Sequence, residues 1–358
     1  MNKTKSIKSQ DGKLEVKYDE VQNSCMCVSL YALLQYLLLF DEDIIQKHTC
    51  FFLGYAVNED ISRKLPGYHF KVKQTINKTF TPSRWLDKFS LRIFRNCKYP
   101  FIKNTTIYAQ DLGFLSSLIG RQPYCMLSDG PNFLTMNMQP ESAEYQRHVR
   151  KNSTWQGKLE KLLYGNVAVH TLGDNLQCTD VYLTEENRSP VLENKTIHID
   201  TFQDLWYSSS ESKKKFILEV FDVTESDIAS LNNVETMFLS QPFVQDGILS
   251  IDEYVTLLKA IFKHYDTSKM LVKPHPRDRF DYSRYFPGIT VFQKKVNIQL
   301  LVLLGTTLQR AVSICSSSIN AFPNEVEADW FGPQCHPALV DFYGNDWKPF
   351  RPYNQMTL

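Results

Sequence analysis

Short apolar runs and segments with an apolar residue every third or fourth position alternate along this chain, the signature of strands interleaved with helices. Within residues 23–75 the pattern predicts a strand, a long apolar helix over Val28–Phe40 and a strand at Cys50–Tyr55. The helix is interrupted by Ser29, Tyr31 and Gln35. Pro82 to Asn96 carries Trp85, Phe89, Leu91 and Phe94 at helical spacing. The clearest unit follows: Thr106–Ala109 as a strand, Leu112–Arg121 as a helix and Tyr124–Leu127 as a second strand. A strand–helix–strand of this length implies a parallel pair with a right-handed crossover. The second strand runs into Ser128-Asp129-Gly130-Pro131, a turn at the carboxyl edge, where open α/β sheets bind ligands.

Residues 140–165 are polar and basic, with Arg147, His148, Arg150, Lys151, Lys158 and Lys161 beside Trp155 and a leucine pair. The first reading is a solvated helical face; a membrane-surface or acceptor-binding segment is the alternative. A polar stretch over 208–216 opens a further helix, and 225–234 reads as a linker. A second α/β pattern begins at Glu235–Ser240 as a strand. It continues with a Gln241–Gly247 loop, helix Ile251–Tyr265 and strand Met270–Lys273, then strand Ile289–Phe292, helix Val296–Gly305 and strand Ala311–Cys315. Two α/β halves imply two Rossmann-type domains, residues 1–234 and 235–358, with the active site in the cleft between them.

Composition narrows this only slightly. With 358 residues, 43% apolar and 22% charged, the chain is globular and long enough for two cores. A formal net charge of +1 argues against a general nucleic-acid binder. The eight cysteines include no CxxC pair and lie mostly in apolar runs, the usage of reduced thiols in a cytoplasmic protein. The polar N-terminus leads to no leader-like apolar core, and Val28–Phe40 is short of the ~20 residues needed to cross a bilayer.

Candidate chemistry concentrates at three strand ends of the second half. Leu271-Val272-Lys273-Pro274-His275-Pro276-Arg277 clamps a histidine between two prolines and two cations, in stiff extended backbone. Such a group suits an anionic ligand, with His275 placed to give it a proton. Asp246-Gly247 ends the preceding loop, and Ser316-Ser317-Ser318 follows the last strand, offering hydroxyl and backbone N–H donors to a phosphate.

Taken in order, Ser240-Gln241-Pro242, Asp246-Gly247, Lys273–Arg277, Asp281-Tyr282-Ser283 and Ser316–Ser318 resemble the bacterial lipooligosaccharide and capsule sialyltransferases of glycosyltransferase family 52. Ser128-Asp129-Gly130 is similar to the acidic-acidic-Gly element of bacterial sialyltransferases. The resemblance covers most of residues 100–135 and 235–320. It implies a GT-B-like fold and metal-independent, inverting transfer of sialic acid from CMP-sialic acid to a galactose-type hydroxyl of a surface glycan. No cofactor is implied beyond the donor. Carried over residue by residue, His275 is the general acid toward the departing phosphate and Asp246 the base, with Asp129 its rival. Ser316 and Ser317 hold the phosphate, with Ser318, Lys273, Arg277, Gly130, Gly247 and Gln299 completing the substrate set. Three positions depart from the pattern: Ser128 stands where an acid is usual, Gln245 where Glu is frequent, and Asn297-Ile298-Gln299 in place of Pro-X-Glu. Gln299 can still bond a ribose hydroxyl or base edge, without charge. The partners implied are a nucleotide sugar and an oligosaccharide acceptor, with peripheral association at the cytoplasmic face of the inner membrane and, by analogy, a homodimer.

Rival readings are a nucleotide-sugar-dependent hexosyltransferase on the same scaffold and a non-catalytic phosphate- or glycan-binding protein. Cys335-His336-Pro337 lacks flanking cations, and Asp41-Glu42-Asp43 reads as a loop or helix cap, not a metal motif. Asp278 and Asp281 are expected to cap or to pair with Arg277 and Arg279.

Overall fold

The apolar runs fold into parallel strands whose residues are buried on both faces, as sheets covered by helices on each side require. The computed structural model describes residues 5–358 except 55–56, 71–92, 94, 112–115, 132–133, 135–137, 165–171, 186, 276, 295, 305–306 and 350. The helix expected over Pro82–Asn96 lies almost wholly outside the described residues. So do the first four positions of the Leu112–Arg121 helix, of which Ser116–Ile119 is helical.

The chain divides into two compact units, Met1–Asp222 and Val223–Leu358. After an antiparallel pair, Ser6–Lys8 with Glu15–Lys17, the first unit builds a seven-stranded sheet. Its strands are β1 (Asn23–Cys27), β2 (Thr49–Leu53), β3 (Gly67–His69), β4 (Thr106–Ala109), β5 (Tyr124–Leu127), β6 (Cys178–Leu183) and β7 (Thr196–His198). All neighbours pair in parallel, in the order β3-β2-β1-β4-β5-β6-β7. The second unit repeats the plan with β8 (Thr236–Leu239), β9 (Met270–Lys273), β10 (Thr290–Val291), β11 (Arg310–Ser313), β12 (Glu327–Trp330) and β13 (Asn354–Gln355). Its order is β10-β9-β8-β11-β12-β13, again all parallel. Both are doubly wound sheets whose order reverses between the first and fourth strands, leaving a crevice at the carboxyl edge there.

The helix after β1, α1 (Leu30–Leu39), is buried from Tyr31 to Leu38, so its apolar surface runs all round. One flank meets the sheet, and Tyr31 stacks on Phe202 of the helix Phe202–Ser208 at 4.8 Å. In the second unit α2, spanning Ile251–Phe262, starts on a capping box of Ser250 and Glu253 and buries Tyr254, Leu257, Leu258, Ile261 and Phe262. It is one turn shorter than the periodicity suggested. The stretch 225–234, read as a linker, contains a helix over Glu225–Ala229 capped by Thr224 and Asp227. The cysteines are free thiols, and burial raises Cys25 and Cys50 well above the ordinary thiol pKa.

Candidate active site

Every residue singled out for chemistry lies at or just beyond a carboxyl strand end or a helix start, but the two units furnish those positions differently. Asp129 belongs to the first unit; Asp246, Gly247, Lys273, His275, Arg277, Gln299 and Ser316–Ser318 belong to the second.

In the second unit β9 ends on Lys273, which is 7% exposed. Among the described residues its ammonium bonds only the Pro274 carbonyl, at 3.2 Å, and burial pulls its pKa down to about 8. His275 follows. The Arg277 backbone N–H donates to its Nδ1 at 3.1 Å, so the neutral ring carries its proton on Nε2. Burial first, then Arg277 and Lys273, push the His275 pKa down to about 4, against the opposing pull of Asp278 and Asp246. At neutral pH the imidazole is therefore uncharged.

Arg277 and Asp246 form a bidentate pair, Nη1 to Oδ1 at 2.6 Å and Nη2 to Oδ2 at 3.1 Å. Both oxygens of the expected base are engaged. Gly247, with φ +70°, provides the left-handed turn that carries the chain away from Asp246, and nothing lies within 4 Å of where a Cβ would stand.

Asp278, expected to cap or to pair with Arg277 and Arg279, pairs with neither arginine among the described residues. Its carboxylate instead accepts from the Ser240 hydroxyl, the Tyr282 hydroxyl at 2.7 Å and the Phe280 N–H at 2.9 Å. Tyr282 is bonded in turn to Tyr254 of α2 at 2.9 Å, and Ser240 accepts the His275 backbone N–H at 3.0 Å. The chain Tyr254–Tyr282–Asp278–Ser240 thus pins the histidine loop to the end of β8. Nothing in the Arg-Asp-Arg run of the sequence distinguishes this half-buried anchor from a surface ion pair. Asp281 does cap, accepting the Arg284 N–H at 3.2 Å.

Ser316 is 2% exposed; its Oγ accepts the Ser318 N–H at 3.3 Å and its own N–H donates to Ser313 at 2.8 Å. It therefore caps the short turn Ser317–Ala321, while Ser317 is exposed and Ser318 half-buried. Strand order puts the ends of β9 and β11 on either side of β8, on the order of 10 Å apart. Gln299 is buried in the helix Ile298–Leu303, with its N–H capped by Asn297 at 2.7 Å.

In the first unit Asp129 follows β5. Gln110, the residue after β4, donates to Asp129 Oδ1 through Nε2, while its Oε1 accepts the N–H groups of Val28 and Ser29 at 2.6 and 2.8 Å. One amide thus ties the β1 turn, the end of β4 and the carboxylate together at the point of strand reversal. Burial raises the Asp129 pKa, while bonds from Ser29 and Gln110 lower it; the net direction is upward. Neighbouring backbone is held as well: Gln35 Oε1 accepts the Ser128 N–H at 2.9 Å, and Asn187 donates to Ser128 Oγ at 2.7 Å. Gln35 is the polar break in an otherwise apolar helix, the one signal that could have flagged it. Gln110 and Asn187 carry no such mark. Asp111 turns into the core instead, accepting from Tyr124 at 2.5 Å and from the N–H groups of Leu172 and Gly173 at 2.7 and 2.9 Å.

The decoys have structural roles. His336 Nδ1 accepts the Ala338 N–H at 3.2 Å at the start of the helix Pro337–Tyr343, and Asp43 pairs with Lys47 at 2.6 Å in the helix Glu42–Lys47.

The model of glycosyltransferase family 52 matches residues 112–329, more than half of the sequence, including Asp129, Asp246, Lys273, His275, Arg277, Gln299 and Ser316–Ser318. The chain belongs to glycosyltransferase family 52. This family member is 32% identical over 165 residues to an uncharacterized protein of Haemophilus influenzae, covering 46% of this chain and 54% of that one. It thus spans about half the length of that curated relative. Among solved structures it is similar to the 2,6-sialyltransferase of Photobacterium sp. JT-ISH-224, described in a ternary complex with CMP and lactose (TM-score 0.57, 10% identity, 87% of this chain and 71% of that one). It is also similar to the α/β-galactoside α-2,3-sialyltransferase of Photobacterium phosphoreum (TM-score 0.52, 12% identity, 91% and 96%). The GT-B domain of a Photobacterium damselae sialyltransferase aligns with TM-score 0.52 at 12% identity, over 86% of this chain and 90% of that one. These likenesses establish the GT-B fold.

Proposed function

We propose that this family 52 protein transfers sialic acid from CMP-sialic acid, with inversion, to a galactose-type hydroxyl of a bacterial surface glycan. The observation that carries this is the buried Lys273 ammonium beside an uncharged His275 at the strand end of the second unit: a cation with no carboxylate against it among the described residues, suited to an anionic ligand. Membership in family 52 and the fold shared with sialyltransferases support the same donor class.

In this reading the donor phosphate lies along the β9, β8 and β11 ends, against Lys273, Arg277 and the Ser316–Ser318 turn. Its charge raises the proton affinity of His275, whose Nε2 then faces the leaving oxygen as general acid. The acceptor hydroxyl attacks the anomeric carbon as the bond to the phosphate breaks, and its proton passes to a carboxylate. Asp246 stands beside His275, and a donor anion that draws Arg277 to itself frees both Asp246 oxygens for that task. Asp129 is a second reading, favoured by its raised pKa and by its freedom, among the described residues, from an ion pair. Cations and hydroxyls neutralise the phosphate, so no metal is required.

The test compares donor hydrolysis with CMP-sialic acid and with UDP-hexoses, for the wild type and His275→Ala. CMP-sialic acid turnover lowered by 10²–10⁴-fold in the variant, with CMP still bound, is the expected result. Turnover of a UDP-hexose alone would make it a hexosyltransferase. No turnover of either donor by the wild type would leave a binding protein.

A further inference from the structure

The segment 140–165, read from sequence as a solvated helical face, does expose Arg147, Arg150, Lys158 and Lys161, and large apolar side chains stand among them. It folds into two helices, α3 over Ala143–Ser153 and α4 over Trp155–Tyr164. On α4 the side chains of Trp155 and Leu162 are 77% and 66% exposed. They lie seven positions apart, on one stripe with Lys158 and next to Lys161, while Glu160 is buried at 8% on the other side. A third exposed apolar residue joins them. Arg121 Nη2 donates to the Leu162 carbonyl at 2.5 Å, and Gln177 Nε2 donates to the carbonyls of Gly120 and Gln122 at 2.8 and 3.2 Å. Leu176, 89% exposed, is therefore brought to the same turn, ahead of β5 and β6 at the amino edge of the sheet.

Large apolar side chains this exposed are explained by what covers them, and the charges around them choose the occupant. Exposed Arg121, Lys158 and Lys161 surround the apolar stripe, and the α4 carboxylate is turned inward. Tryptophan and leucine on a helix with a basic polar face describe an interfacial helix lying in the headgroup layer. Among the described residues no helix is long and apolar enough to cross a membrane, and α4, at about 15 Å, could only lie on one. We infer that the Trp155–Leu162 stripe of α4, with Leu176 and the flanking Arg121, Lys158 and Lys161, is a docking surface for an anionic lipid bilayer. The surface is at the opposite edge of the first sheet from Asp129, so adsorption leaves that carboxyl edge uncovered.

The test is co-sedimentation of the full chain with vesicles of phosphatidylcholine containing phosphatidylglycerol, against phosphatidylcholine alone. The wild type is expected to sediment with the anionic vesicles and to be released by salt. Trp155→Ser with Leu162→Ser, and separately Lys158→Glu with Lys161→Glu, should each lower partition by about tenfold or more, since each charge near an anionic surface contributes about fivefold. Hydrolysis of a soluble donor and the thermal midpoint should be unchanged in both, which separates this inference from the donor chemistry. Equal binding to neutral vesicles, no binding by the wild type, or variants that bind like the wild type would overturn it. So would a dimer that these variants convert to monomer without altering vesicle binding, since the stripe would then face a second copy of the chain.

Discussion

The carboxyl edges of the two sheets share a topology and differ in charge. In the first unit the position at strand reversal is furnished by neutral amides, Gln35, Gln110 and Asn187, which hold the Ser128-Asp129-Gly130 turn and a carboxylate of raised proton affinity. In the second it is furnished by cations, Lys273 and Arg277, around an imidazole of lowered proton affinity. One edge holds a carboxylate among neutral amides, the other an imidazole among cations. Strand order supplies the place, and side chains then decide which charge that place will bear.

The largest effects should come from exchanging the two carboxylates for amides. Asp246→Asn is expected to lower kcat by 10²–10⁴-fold while leaving CMP binding intact or tighter, because Arg277 is freed of its competitor. Asp129→Asn should cost less than about tenfold in kcat, with a raised KM for the acceptor. Steady-state kinetics on both variants decide the point; the reverse order would move the base to the first unit.

Next in size is the titration of His275, followed by NMR with and without CMP. Free protein should show protonation near pH 4, and bound CMP should return it toward the ordinary value of about 6.5. No movement with CMP would remove His275 from the phosphate. The sign for stability follows from a folded pKa below the unfolded one. The unfolded state binds the extra proton, so stability is lost as pH falls from about 6.5 toward 4. His275→Ala should lack that part of the acid limb.

Lys273→Met is the smallest and cleanest separation of stability from function. CMP affinity should fall about tenfold, the loss of a hydrogen bond to a charged group, while the thermal midpoint at pH 7 holds or rises. The wild-type ammonium is charged in both states there and carries its burial cost. Above pH 8 the folded state sheds the proton first, so the stability gap between variant and wild type should narrow toward about pH 10.4. A variant less stable than wild type at pH 7 would show that Lys273 is a structural ion and not an unfilled anion site.

What the sequence determined by itself was periodicity and punctuation. Thr106–Ala109, Tyr124–Leu127 and Met270–Lys273 were legible to the residue, because buried parallel strands are continuous apolar runs ended by turn residues. Lys273–Arg277 and Asp129 were legible because prolines and a Gly turn mark strand ends. Strands such as Glu327–Trp330 and Asn354–Gln355 escaped notice, being short and of mixed polarity. Only the tertiary structure decided which carboxylate meets which cation. Asp278 sits between two arginines in the chain and Asp246 has no basic residue near it, yet Asp246 clasps Arg277 while Asp278 anchors Ser240 and Tyr282. It alone also showed Trp155 and Leu162 facing outward, beside a turn that brings Leu176 to join them. Hydrogen-bond geometry and burial depend on neighbours distant in the chain, and local pattern carries no record of them.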